Sequence, residues 1–366
     1  MKQFQDLVEE VQKPGLCRHC GGCVNFCTAI NYGALDFDKN GTPYMKRTEQ
    51  CIECGLCYTI CPETREMDTE LKINFNWNPP LGNYIKIQSA RSKDPRIRNR
   101  ATDGGAVTAM LLFLLHREYI DGAIVSKQKN SFTREPYLAT NEQEILESAG
   151  FNMEQSQGMQ ELSTQYSTYS SSIDKLGPVK QKRLSRVAFV GLPCQINTVR
   201  KMQALGIVPS DAIKYYLGLF CSGTLVLGEK ERKELERLGN FKWEQLRKIN
   251  IKEDLMLHLQ NGQVKHISLD DVDFMKRYAC FFCDDYSSEF ADISFGGLGA
   301  KEGWTTVVTR TPAGRSIYLQ AREEFLEEYG YIDRSQHLEE ITEKCRQYSK
   351  LKKRQAKNMR HNLKSS

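Results

Sequence analysis

Two cysteine runs constrain this chain more than any other feature: Cys17-x2-Cys20-x2-Cys23-x3-Cys27 and Cys51-x2-Cys54-x2-Cys57-x3-Cys61-Pro62. They are two copies of one pattern, so they mark an internal repeat and a domain of their own. Three thiolates at i, i+3 and i+6 in a loop containing Gly21, Gly22 or Gly55 can wrap three irons of a 4Fe-4S cubane. The fourth cysteine, opening a helix, then reaches across to the other cluster. That crossing assigns Cys17, Cys20, Cys23 and Cys61 to one cluster and Cys51, Cys54, Cys57 and Cys27 to a second. Four-thiolate zinc sites use separated cysteine pairs, not a triple followed by a single. Thr28 stands where the motif usually has proline, which removes no ligand. Between the copies, Ala34 to Tyr44 reads as a hairpin turning at Asn40-Gly41. So small a domain buries little, and its clusters hold the fold. A two-cluster ferredoxin domain is expected over residues 1–78.

The remaining sequence must supply the other cores. The chain has 366 residues, 40% hydrophobic and 27% charged, a balance that excludes wholesale disorder and leaves room for more than one domain. No apolar run longer than Ala106 to Leu115 is present, and the first residues lack the apolar stretch of a signal peptide. The expectation is therefore a cytoplasmic chain without a transmembrane segment, whose cysteines bind metal instead of pairing as disulfides. Residues 1–70 carry 7 Lys/Arg against 11 Asp/Glu, whereas residues 344–366 carry 9 basic and no acidic residues. The acidic head argues against a nucleic-acid protein. For the basic end, a solvated helix is the favoured reading over a docking element.

From about residue 82 strands and helices alternate. Tyr84 to Ser89 reads as a strand, and the basic loop Arg91, Lys93, Arg96, Arg98, Arg100 leads into Thr102-Asp-Gly-Gly and the helix Ala106 to Leu115. A strand follows from Ile120 to Ser126. A glycine pair before a helix is most often a plain turn, though it also lets backbone amides approach an anion. Residues 155–172, rich in Ser, Gln and Tyr, read as a loop or lid. Arg186 to Gly191 is a buried strand, Gln195 to Leu205 a helix, and Ile213 to Phe220 another strand, a crossover that makes the two strands parallel. Cys194 and Cys221 then lie at the carboxyl edge of the sheet, where open α/β sheets bind ligands. Cys280-Phe-Phe-Cys283 supplies a further pair. A third metal cluster is the favoured reading of these four, with zinc and buried structural thiols as alternatives. Cys345 is left over, and His19, His116, His258 and His266 form no ligand spacing.

Four ordered motifs, Thr102-Asp-Gly-Gly-Ala-Val-Thr-Ala-Met-Leu, Val190-Gly-Leu-Pro-Cys-Gln-Ile, Gly218-Leu-Phe-Cys, and Cys280-x2-Cys-Asp with Ala291-Asp-Ile-Ser-Phe-Gly, resemble the β subunits of coenzyme F420 hydrogenases and dehydrogenases. With a ferredoxin domain in front, the chain is most similar to the electron-input subunit of F420H2 dehydrogenases. The resemblance implies an α+β head followed by a mixed α/β flavin-binding domain over residues 82–325 with its own 4Fe-4S cluster, and a basic helical tail over 326–366. It implies FAD, and a third cluster on Cys194, Cys221, Cys280 and Cys283. Thr102, Asp103, Gly104, Gly105, Val107 and Thr108 would hold the FAD, with Ser126, Lys127, Gly296 and Gly297 as further candidates.

The implied activity is oxidation of reduced coenzyme F420, reversible in principle. A deazaflavin delivers a hydride and an iron-sulfur cluster accepts one electron, so a flavin must stand between them. Hydride transfer needs no acid or base side chain, and no catalytic residue is named. The basic loop before Thr102 would meet the anionic tail of coenzyme F420. Expected partners are coenzyme F420 and other redox subunits of a membrane dehydrogenase, hydrogenase, formate dehydrogenase or heterodisulfide reductase type. A peripheral place on the cytoplasmic face of a membrane complex would suit such a subunit. After Ala149-Gly150, where the family carries a small, a basic and an aromatic residue, this chain reads Phe151-Asn-Met-Glu. Two alternatives follow: a same-fold oxidoreductase using ferredoxin and a different substrate, or a wiring subunit with no substrate of its own.

Overall fold

The computed structural model describes residues 2–29, 32–128, 134–150, 166–167 and 172–365. In the head, the first cysteine loop leads into helix α1 (Gly22–Ala29). Leu35–Phe37 then pairs antiparallel with Pro43–Met45, as the Asn40-Gly41 turn predicts, with Gly41 at φ +74°. The second cysteine loop ends in the short helix Leu56–Thr59.

The body is built on strands β1 (Lys86–Ser92), β2 (Gly122–Gln128), β3 (Arg134–Ala139), β4 (Val187–Gly191), β5 (Ile213–Leu219), β6 (Ile293–Gly296), β7 (Thr305–Thr309) and β8 (Leu326–Glu328). They form one eight-stranded sheet in the order β8-β1-β7-β6-β5-β4-β2-β3. β2, β4, β5 and β6 run parallel, and the outer pairings are antiparallel, so the sheet is mixed. The expected strand-helix-strand crossover is present: α3 (Pro193–Ala204) links β4 to its parallel neighbour β5. Pro193 opens α3, where its missing N–H costs nothing.

Alternation along β4 assigns the two faces. Val187 and Phe189 point into a core with Ile196, Val199 and Met202 of α3. Ala188 and Val190 point the other way, toward α2 (Ala106–His116) and α5 (Pro312–Glu324). The head does not stand apart. Phe4, Val24, Phe26 and Ile60 join the same buried cluster as α3, so head and body share a core on that face. Sequence patterning misses this because it separates domains by motif, whereas burial joins them.

Two elements go beyond the expected plan. Residues 225–276 carry helix α4 (Glu229–Gly239) and a three-stranded antiparallel sheet (Leu246–Ile251, Asp254–Leu259, Val264–Ser268) around their own apolar core. The basic C-terminal segment is helical as expected, but α6 (Arg334–Ser365) is not a solvated tail. Ile341, Cys345, Ser349, Lys352 and Ala356 recur at helical spacing along one buried stripe. Cys345 is thus part of a core with Leu298 and Tyr286. Most of the stretch expected as a loop or lid lies outside the described residues, although Tyr166–Ser167 pairs with Val226–Leu227.

Candidate functional site

The eight head cysteines fall into two groups in space. Cys17, Cys20, Cys23 and Cys61 line one small cavity, together with His19, Arg18 and Thr198. Cys27, Cys51, Cys54 and Cys57 line the other, closed by Phe4, Phe26 and Leu35. Each quartet thus takes three cysteines from one repeat and one from the other. Burial pushes the Cys17 thiol up to about 11 and Cys61 to about 12, with neighbouring cysteines adding to both. Burial likewise takes Cys57 to about 12, with Cys54 adding to the rise. Four buried sulfurs that repel as thiolates are suited to a cationic centre. Among the described residues no three His, Cys, Asp or Glu side chains converge on a single-ion site. His19 borders the first cavity and is half-buried, not solvent-facing.

The four body cysteines come from three separate places. Cys194 lies in the first turn of α3, Cys221 follows β5, and Cys280 and Cys283 flank a tight turn of the segment Tyr278–Phe282. They converge nonetheless. Burial raises Cys194 far above the usual thiol range, and Cys20, Cys283 and Cys221 all add to the rise. Burial takes Cys221 to about 11, with Cys280 and Cys283 contributing. The Thr224 amide donates to Cys280 Sγ at 3.3 Å.

Beside Cys194 lies a cavity of about 270 Å³ at the carboxyl ends of β2, β4 and β5, lined by Val107, Leu111, Val125, Val190, Leu192 and Leu219 with a few polar groups between. The first turns of α2 and α3 both border it, at Thr108 and Gln195, so two helix N-termini offer partial positive charge to an anionic ligand. An apolar slot between two such ends suits a flat ring system carrying a pyrophosphate. A larger cavity, about 420 Å³, opens between head, body and α6, but charges of both signs line it, including Arg65, Asp284, Lys353 and Arg360. It offers no comparable pair of apolar walls.

Of the ten positions expected to hold the flavin, Val107, Thr108 and Ser126 line the apolar cavity. The glycines do other work. The Gly104 amide donates to Thr305 Oγ1 at 3.0 Å, and a Cβ there would meet the Ala90 carbonyl at 2.8 Å. Gly105 caps α2 at φ +74°, and its Cβ would meet Ile97 Cγ2 at 2.7 Å. Gly296 packs under the Phe220 ring and Gly297 against Asp103. Asp103 accepts from Asn250 at 3.0 Å and lies 3.4 Å from Lys252, and the Thr102 carbonyl accepts from Lys248 at 2.5 Å. Those two residues therefore tie the α2 entry to the inserted sheet. Lys127 pairs with Glu147 at 2.6 Å.

The stretch expected as a basic loop is instead the end of β1 and a short helix, Pro95–Arg100, capped by Asp94, and its cations are engaged within the chain. Arg91 pairs with Glu327, Arg96 with Asp94, and Lys93 and Arg98 donate to backbone carbonyls. Arg100 lies 3.5 Å from the Leu146 carbonyl. Arg134, which the sequence reading passed over, borders the cavity and donates to Ser126 Oγ and the Ser148 carbonyl. No local motif announces it; its place at the start of an antiparallel edge strand does.

Comparison with known proteins decides the family. The chain is 32% identical over 248 residues to the coenzyme F420 hydrogenase subunit beta of Methanothermobacter thermautotrophicus, covering 66% of this chain and 83% of that one. It belongs to the coenzyme F420 hydrogenase/dehydrogenase beta subunit family. The family's N-terminal segment matches residues 87–162 and its C-terminal segment residues 184–335, preceded by a 4Fe-4S dicluster domain at residues 9–62. Another relative, the coenzyme F420-dependent sulfite reductase of Methanocaldococcus jannaschii, is 30% identical over 334 residues, 86% of this chain; the chain spans only 47% of that protein. A chain of the F420-reducing [NiFe] hydrogenase complex from Methanosarcina barkeri superposes with a TM-score of 0.66 at 26% identity, over 77% of this chain and 93% of that one. Coenzyme F420-dependent oxidoreduction is the shared theme of these relatives. Among the described residues no helix is long and apolar enough to cross a membrane.

Head and body meet at the two cysteine groups. A Cβ on Gly22 would lie 2.4 Å from Thr198 Cγ2, so α1 approaches α3 as closely as glycine permits. Thr198 Oγ1 stands 3.6 Å from Cys20 Sγ and donates to the Cys194 carbonyl at 2.9 Å. Arg18 pairs with Glu63 at 2.6 Å, both nearly inaccessible, and Lys201 of α3 donates to the Cys61 carbonyl at 3.1 Å.

Proposed function

We propose that the chain oxidises reduced coenzyme F420 at an FAD held in the apolar cavity and passes single electrons through three 4Fe-4S clusters to a partner redox subunit. One reduced deazaflavin yields one oxidised deazaflavin, two electrons and two protons; bound FAD supplies the change from hydride to single electrons. Val107, Thr108, Ser126 and Arg134 would surround the flavin, and Cys194, Cys221, Cys280 and Cys283 would hold the first cluster. The head quartet with Cys20 comes next and the quartet with Cys27 last.

The observation that carries this reading is the turn Leu192-Pro193-Cys194-Gln195. Leu192 and Gln195 line the apolar cavity, while Cys194 between them belongs to the body's cysteine group and stands near Cys20 of the head. A donor bound in the cavity would thereby stand beside the body's cysteine group, which in turn adjoins Cys20 of the head. The direction of flux and the partner's identity lie with the complex.

The test is anaerobic. Purified protein reconstituted with FAD should carry about twelve irons and twelve sulfides, and its flavin should bleach on addition of reduced coenzyme F420. Bleaching by reduced ferredoxin alone assigns the chain to a same-fold oxidoreductase with another substrate. Absence of bound FAD reduces it to a wiring subunit.

A further inference from the structure

The C-terminal helix α6 lies beyond the family's matched segment, which ends at residue 335, and it sets a charge where its buried stripe calls for an apolar residue. The stripe reads Ile341, Cys345, Ser349, Lys352, Ala356, each nearly inaccessible. Lys352 Nζ donates to the Cys221 carbonyl, and Cys283, Cys221 and Cys280, followed by Asp285, favour its charged form electrostatically. Among the described residues it makes no ion pair. The neighbouring helix turns clamp the same region: Lys353 donates to the Asp284 carbonyl at 3.0 Å and Arg360 to the Phe282 carbonyl at 2.9 Å. Arg360 also reaches Glu63 of the head at 2.6 Å.

Burying an ammonium without a carboxylate costs several kcal/mol unless something nearby is negative. Four thiolates around a cubane provide that negative charge, and reduction of the cluster adds to it. We propose that Lys352 is a positioning residue for the body's cluster: α6 delivers a fixed positive charge beside Cys221, Cys280 and Cys283 that favours the reduced state and raises its potential. The cations at the head's first quartet share their charge with carboxylates: Arg18 pairs with Glu63 at 2.6 Å, and Lys201, which donates to the Cys61 carbonyl, lies 3.4 Å from Asp68. A higher potential at the body's cluster would draw electrons off the cavity one at a time. This inference rests on the assignment of a cluster to the body's four cysteines.

The experiment is potentiometric titration of the full-length, iron-loaded protein, followed by electron paramagnetic resonance. Lys352→Met should make reduction of the body's cluster at least about tenfold less favourable, a shift of about 59 mV to lower potential for one electron, with the head signals unmoved. Lys352→Arg should stay near wild type, and Lys350→Met, on the exposed side of the same helix, should do nothing. If Lys352→Met fails to retain iron, Lys352→Gln keeps a donor without the charge and should show the same downward shift. An unmoved potential in the Met or Gln variant overturns the proposal, as does an equal shift in the Arg variant. Wild-type protein with about eight irons would instead remove the underlying cluster assignment.

Discussion

The head and the body hold cysteines by opposite means. In the head each quartet draws three cysteines from one short loop, beside hairpin strands of three residues each and a core shared with α3, so a bound cluster would set much of the loop geometry. In the body the four cysteines are dispersed between residues 194 and 283 and are assembled by the carboxyl edge of a sheet whose strands are buried on both faces. With clusters bound as proposed, the first site would be shaped largely by its ligand and the second by the fold. The difference teaches where loss of metal should propagate and where it should stop.

Removing one ligand from each kind of site gives the largest contrast. Cys57→Ser should cost about four of the twelve irons expected for three cubanes and leave residues 1–78 open to protease, because Phe4, Phe26 and Leu35 close around that quartet. Cys194→Ser should also cost about four irons. Here the far-ultraviolet circular dichroism and head signals should persist, while transfer from flavin to head stops. Equal protease sensitivity in the two variants would erase the distinction; uninterrupted transfer in Cys194→Ser would take that residue off the path.

The seam between the regions comes next in size. At Gly22 the missing Cβ lets α1 lie on α3 with Thr198 between Cys20 and Cys194. Gly22→Val should overpack this contact at a cost of about 1–3 kcal/mol. Both iron sets should remain, and single-turnover transfer from flavin to head should slow. Unchanged transfer with unchanged melting would show that the close approach has no part in coupling them.

How much of this was legible depends on the same contrast. The head quartets, including the exchange of Cys27 and Cys61 between repeats, follow from spacing, because ligand reach is a local property. The parallel β4-α3-β5 unit follows from periodicity, and with it the meeting of Cys194 and Cys221. What spacing cannot convey is partnership across the chain. Arg134 at the start of β3, Gln195 in the first turn of α3 and Leu219 at the end of β5 line the cavity together, and α6 docks through a stripe of Ile341, Cys345 and Ser349 that a count of basic residues hides. That stripe was present as helical spacing; the charge density drew the reading to the solvated face instead. The same holds for the basic stretch before Thr102, where Arg91 and Arg96 answer to Glu327 and Asp94.

The smallest expected effect separates a motif's form from its chemistry. The Gly104-Gly105 pair resembles a loop that lets a cofactor approach, yet the space beside each glycine is filled by protein: Ala90, Arg91 and Thr305 at Gly104, Ile97 and Ala101 at Gly105. Gly105 is required by its left-handed backbone, which costs a residue with a Cβ about 1–2 kcal/mol, and by contact with the buried Ile97. Gly105→Ala should therefore lower the melting temperature by roughly 2–8 °C, with FAD affinity and coenzyme F420 activity retained below the transition. Thr108→Leu, which intrudes into the cavity from the next turn of the same helix, should do the reverse, weakening FAD with little change in melting. If Gly105→Ala loses FAD while melting as wild type does, the glycine approaches the cofactor directly, and the body would then resemble the head, with its ligand shaping the loop that holds it.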